Sequence, residues 1–177
     1  GLKKALLAEA RGEGRSPSPA ELGARVQEVL SNREIRRTLA AIAAAGGEAR
    51  YEAVSVDDGG ALHGLFARVR SEWGPIVGLV HAAGVLADRS IAQKTDAQFD
   101  RVFDTKVKGL RALLDATADD PLKLLCVFSS VSARCGNNGQ ADYAMANEVL
   151  AKVAWAESRR RPGTLVKSFG WGPWEGG

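Results

Sequence analysis

Sulfur and imidazole are scarce: 177 residues hold two cysteines, Cys126 and Cys135, and two histidines, His63 and His81. Neither pair has the short spacing of paired metal ligands, so no zinc centre is expected. Long apolar runs are also missing. Nothing approaches the ~20 residues that a membrane helix needs, and no charged-then-apolar signal opens the chain. The expectation is a cytoplasmic protein with reduced thiols and no membrane partner. Excess charge of one sign is lacking too, with 24 Lys+Arg against 21 Asp+Glu and a net charge of +3. The basic residues form short clusters (Arg33, Arg36, Arg37; Arg159, Arg160, Arg161) without interleaved aromatics. These read as solvated helix faces rather than a nucleic-acid surface. An initiating methionine is absent, and a chain that begins at Gly1 reads as a piece of something longer.

What is present is a 45% hydrophobic composition in a chain of single-domain size, sufficient for a real core. Residues 1–10 read as the end of a helix and "RGEGRSPSP" as a flexible connector. Two helices are then expected, "AELGARVQEVL" and "NREIRRTLAAIAAA", divided by a capping box of Ser31 and Glu34 and ended by Gly46 and Gly47. Beyond them strands and helices alternate. The strands are "ARYEAVSV", "IVGLVHAA", "LKLLCVFSS" and "TLVKSFG"; the helices between them are "GGALHGLFARVRSEW", "TDAQFDRVFDTKVKGLRALLDAT" and "ADYAMANEVLAKVAWAESRR". The alternation predicts an α/β fold with four parallel strands and helices on both faces of the sheet.

In such a sheet, ligands bind at the carboxyl ends of the strands. The residues to inspect are therefore Ser55 and Val56, His81 to Gly84, Ser129 and Ser130, and Gly170 to Trp174. On the long helix, Phe99, Phe103, Leu110 and Leu113 form an apolar stripe whose rhythm passes through Lys106. A lysine on a core-facing stripe is either functional or lies at the stripe's edge with its head in water. Tyr143 and Asn147, four apart on the last helix, share a face. A tyrosine there is also compatible with a core role, and Ser129 and Ser130 with satisfying loop backbone. Taken together these residues suit one reaction. A carbonyl that receives hydride needs a hydrogen-bond donor at its oxygen, a proton for the alkoxide, and a cation that favours the phenolate of the proton donor. Ser130, Tyr143 and Lys106 supply the three.

"GLVHAAGVLADRSI", "FDTKVKG", "FSSVSARCGNNGQADYAMAN" and "GWGPWEGG" resemble the ketoreductase domain of polyketide and polyunsaturated-fatty-acid or enediyne-type synthases, a branch of the short-chain dehydrogenase/reductase family. The resemblance spans residues 31–177, with residues 1–30 as a helical linker or insertion. It implies a Rossmann-like doubly wound parallel sheet and NADPH-dependent reduction of a β-ketoacyl group on an acyl carrier protein. Most of the wider family carries lysine four residues after the tyrosine and asparagine on the preceding helix. Here Asn147 and Lys106 stand exchanged, as in the synthase branch. The implied catalytic residues are Lys106, Ser130, Tyr143 and Asn147. Cofactor contacts would come from Val56, Ala82, Ala83, Gly84, Lys106 and Pro173, and substrate contacts from Leu86, Asp88 and Gln140. The "LAD" of Leu86 to Asp88 resembles the "LDD" of ketoreductases that give a D-hydroxy product, with Ala87 departing from it.

Two further departures stand out. No glycine-rich turn follows a strand, and Ser55 stands where the family usually carries aspartate near the adenine. The expectation is a partial domain, lacking the first glycine-rich βαβ unit and dependent on an upstream half and neighbouring synthase domains. On its own it would be inactive. The rival reading is an inactive structural half-domain that supports a synthase module.

Overall fold

A computed structural model describes residues 1–173, so the "WEGG" at 174–177 that closes the last motif lies outside the described residues. The chain divides into two compact units, Gly1–Ala53 and Val54–Gly177. The first is a helical pair, α1 (Leu2–Gly12) and α2 (Pro19–Ala44), with Ala10 and Leu22 buried.

α2 corrects the expectation of two helices. The capping box lies at Ser18 and Glu21, with Pro19 in the first turn, and the helix runs unbroken through Ser31. Between Ala24 and Ala45 there is neither glycine nor proline. Extending a helix adds a hydrogen bond for each residue fixed, whereas a second start would incur the nucleation cost again. The helix ends where expected, with Gly46 at φ 82°.

The second unit is built from α3 (Gly59–Trp73), β1 (Gly78–His81), α4 (Asp96–Ala116), β2 (Leu124–Ser130), a single turn α5 (Ser132–Cys135), α6 (Ala141–Arg160) and β3 (Leu165–Trp171). Starts of helices are chemically marked. The Asp58 carboxylate accepts the Ala61 amide at α3, and Thr95 with Gln98 forms a capping box at α4. The strands are parallel in the order β1-β2-β3, with Val80 opposite Cys126 and Cys126 opposite Lys167.

Two expectations about the sheet are corrected. Residues 49–56 form no strand, and the described residues contain three strands rather than four. A strand exists only by pairing, and this segment meets no neighbouring strand among the described residues; Val54 and Val56 instead pack on the core. Among the described residues the helices also lie on one face of the sheet, where both were expected. Each right-handed crossover in an order that advances without reversing returns on the same side. Leu62 of α3, Leu110 and Leu114 of α4, and Leu150 of α6 accordingly join Leu79, Leu125 and Val127 in one core. The opposite face presents Val80, Leu165 and Phe169 to solvent. Among the described residues no helix is long and apolar enough to cross a membrane.

Candidate active site

All three strands point their carboxyl ends at one cavity of about 290 Å³. Ala82 and Gly84 follow β1 into its wall, Ser130 ends β2, Trp171 ends β3, and Lys106 and Tyr143 enter from α4 and α6. A hollow of about 370 Å³ in the helical unit is larger. Most of its charged residues are already engaged, Arg15 with Glu13, Arg25 with Glu28 and Glu21 with the Ser18 cap.

Lys106 is 3% exposed, which rules out a head held in water. The buried stripe of α4 runs through Val102, Lys106, Leu110 and Leu113, while Phe99 and Phe103 stack on each other, half-buried, at its edge. The ammonium donates to the Phe128 carbonyl at 3.1 Å and stands 5.3 Å from the centre of the Tyr143 ring. Burial lowers its pKa from 10.5 to about 8. Its backbone is held as well. His81 Nε2 lies 2.9 Å from the Lys106 carbonyl, which only accepts, so the ring nitrogen there carries the proton. Burial, opposed by that hydrogen bond, and then the Lys106 charge hold the imidazole below its ordinary pKa.

Ser130 is arranged as a donor. Its Oγ accepts the Ser132 amide at 3.2 Å and the Ser132 hydroxyl at 2.9 Å. With its lone pairs taken, its own hydrogen is the part left to offer, and the Trp171 carbonyl at 3.5 Å holds it weakly. Asn147 lies one turn behind Tyr143, fully buried. Its Nδ2 donates to the Tyr143 carbonyl at 2.8 Å, and the Ser129 hydroxyl donates to the Asn147 carbonyl at 2.9 Å. Asn147 Oδ1 is buried with no partner among the described residues.

The remaining expected positions scatter around this centre. Leu86 lines the cavity. Gln140 donates to Asp88 at 2.9 Å on the exposed side of the loop. Val56 presses on Gly109 of α4, where a Cβ would fall 2.9 Å from its Cγ1. Ala83 is half-buried and Pro173 exposed. Gly84 matters for space, since a Cβ there would lie 3.2 Å from Lys106 Cε. The cleared backbone at Gly84 and the buried cation in the cavity wall fit the nicotinamide end of a dinucleotide. Sequence reasoning placed His81 at a strand exit without seeing its bond to Lys106, and it missed Ser132 and a buried ion pair, Lys94 with Asp142 at 2.7 Å. Only Asp142, beside Tyr143 in a helical first turn, carried any local signal.

Comparison with known proteins gives the family. A family model described as "KR domain" matches residues 17–176. The chain is 42% identical over 177 residues to a polyunsaturated fatty acid synthase of Thraustochytrium sp., covering 99% of this chain and 6% of that protein. A ketoreductase domain from the bacillaene assembly line superposes with a TM-score of 0.76 at 34% identity, over 80% of this chain and 35% of that one. The ketoreductase from the first module of phoslactomycin biosynthesis in Streptomyces sp. HK803 gives a TM-score of 0.72 at 37% identity, over 80% and 32%.

Proposed function

The chain belongs to the KR domain family, the polyketide-synthase type of ketoreductase within the short-chain dehydrogenase/reductase superfamily, and from that premise we propose that it reduces a β-ketoacyl thioester on an acyl carrier protein to the β-hydroxy thioester with NADPH. The carrying observation is the sealed Lys106 ammonium in the same cavity wall as Ser130 and Tyr143. A buried cation is costly, and here it faces a phenol.

When bound, the reduced nicotinamide supplies the hydride for the carbonyl carbon. Val56, Ala82, Ala83, Gly84, Lys106 and Pro173 would hold the cofactor. Ser130 donates its hydroxyl hydrogen to the carbonyl oxygen as charge gathers there. Tyr143 gives its phenolic proton to that oxygen, and Lys106 stabilises the phenolate left behind. Asn147 fixes the Tyr143 backbone, and its free Oδ1 suits a water that could return the proton. Leu86, Asp88 and Gln140 border the acyl path, and the Leu86–Asp88 loop supports a D-hydroxy product. Neighbouring domains of a synthase would present the carrier-bound substrate.

Tyr143→Phe in the full-length protein tests this reading. Reduction of a β-ketoacyl thioester should fall by about a hundredfold or more, while NADPH binding, read by nicotinamide fluorescence, is kept. Unchanged reduction would remove Tyr143 from the role.

A further inference from the structure

Two charged side chains beside the catalytic set are almost sealed from solvent. Lys94 is 4% and Asp142 2% exposed at the side chain, and they meet at 2.7 Å. Such a pair is weak support for stability, because desolvation consumes much of the attraction. Its second contacts show what else it does. Lys94 Nζ donates to the Ala87 carbonyl at 2.8 Å, in the middle of the Leu86–Asp88 loop. Asp142 Oδ1 accepts the Tyr143 amide at 2.9 Å. An unbroken path of polar contacts thus runs from the loop bordering the cavity to the proton donor.

The surroundings of the pair reinforce this path. α6 opens with no side-chain bond from its N-cap Gln140, so the Asp142 carboxylate takes up one of the unsatisfied first-turn amides. The same seam is stitched twice more, by the Arg89 amide donating to the Gly139 carbonyl at 3.0 Å and by Gln140 donating to Asp88. Gly139 sits at φ 79°, in the left-handed region that favours glycine. Replacing either ion would leave the other buried and unpaired, and would loosen the middle of the loop, at Ala87, from the start of α6.

We propose that Lys94 and Asp142 are positioning residues that register the Leu86–Asp88 loop against Tyr143 and thereby fix which face of the substrate carbonyl meets the hydride. This rests on the reductase reading above. Three variants of the full-length protein test it beside Tyr143→Phe: Lys94→Met, Asp142→Asn, and the apolar double Lys94→Met with Asp142→Leu. The readouts are KM and kcat for a β-ketoacyl thioester, the enantiomer ratio of the product, and the melting temperature. The expected result is a KM raised about tenfold in Lys94→Met, with kcat less affected and a mixed product. Asp142→Asn, which keeps an acceptor for the Tyr143 amide, should mix the product less. The apolar double, which removes both ions together, should recover the melting temperature and keep the raised KM and mixed product. If KM and enantiomer ratio instead return with the melting temperature, or never change, the pair is purely structural and the proposal falls. Should Tyr143→Phe stay fully active, the reductase reading fails first, and the proposal with it.

Discussion

Replacing Lys106 with methionine should make the protein more stable and catalytically silent at once. The folded lysine has a pKa of about 8 against an ordinary 10.5, and burial is the cause. At roughly 1.4 kcal/mol per pH unit, that gap amounts to about 3 kcal/mol of cost at neutral pH. The bond to the Phe128 carbonyl offsets about 1 kcal/mol of it, which leaves a gain of about 2 kcal/mol for a methionine of similar volume. In a chain of this size that corresponds to a rise of about 4–8 °C in Tm. The pH dependence is specific. Below pH 8 the lysine is protonated both folded and unfolded, and the full cost is present. Between pH 8 and 10.5 the unfolded chain holds a proton the folded one has released, so wild-type stability rises with pH. The variant lacks that rise. Calorimetric melting of both full-length proteins at pH 7 and pH 10 measures it, with Lys106→Met ahead at pH 7 and the lead shrinking by pH 10. A variant that melts below wild type at pH 7, or a lead indifferent to pH, would refute the reasoning.

Gly84→Ala would place a Cβ 3.2 Å from Lys106 Cε and 3.4 Å from Nζ. Turnover should fall roughly tenfold through the displaced ammonium while Tm barely moves, and steady-state kinetics with melting curves check both. Asp120 is buried, accepts a bidentate bond from Arg70 and takes the Ile76 amide. Asp120→Ala should cost about 2 kcal/mol in urea unfolding, a figure reduced because Arg70 is one-third exposed. The Arg70 hydrogen bond foremost holds the Asp120 pKa below 3.8. Its contribution is therefore present above that value and lost as pH falls through the lower folded value, so the deficit of Asp120→Ala should close in strong acid. Ser18→Ala removes the capping box of α2 and should lower helicity by far-UV dichroism, at a cost of about 1 kcal/mol.

Local patterns were readable in this chain, and pairings between distant residues were not. The limits of α3 and α6, 59–73 and 141–160, follow from periodicity and from punctuation at their ends. The Ser31–Glu34 motif misled because a capping sequence acts only where the chain leaves the helix, and nothing forces it out there. Residues 49–56 have a strand's composition, but composition supplies no neighbour to pair with. Lys106 was legible because a charge interrupts an apolar rhythm, and the structure buries it. The ion pair of Lys94 and Asp142 joins residues 48 apart, and a first-turn acid such as Asp142 does not show which cation it will meet. Ser132 escaped notice for the same reason: only the turn after β2 brings its hydroxyl onto Ser130.

The most direct test of the central claim is isotopic. The full-length protein, given a β-ketoacyl thioester and NADPH deuterated at the transferring position, should yield a β-hydroxy thioester carrying one deuterium on the carbinol carbon by mass spectrometry, and Tyr143→Phe should yield almost none. An unlabelled product, or equal labelling by the variant, would contradict hydride reduction at the site formed by Lys106, Ser130 and Tyr143.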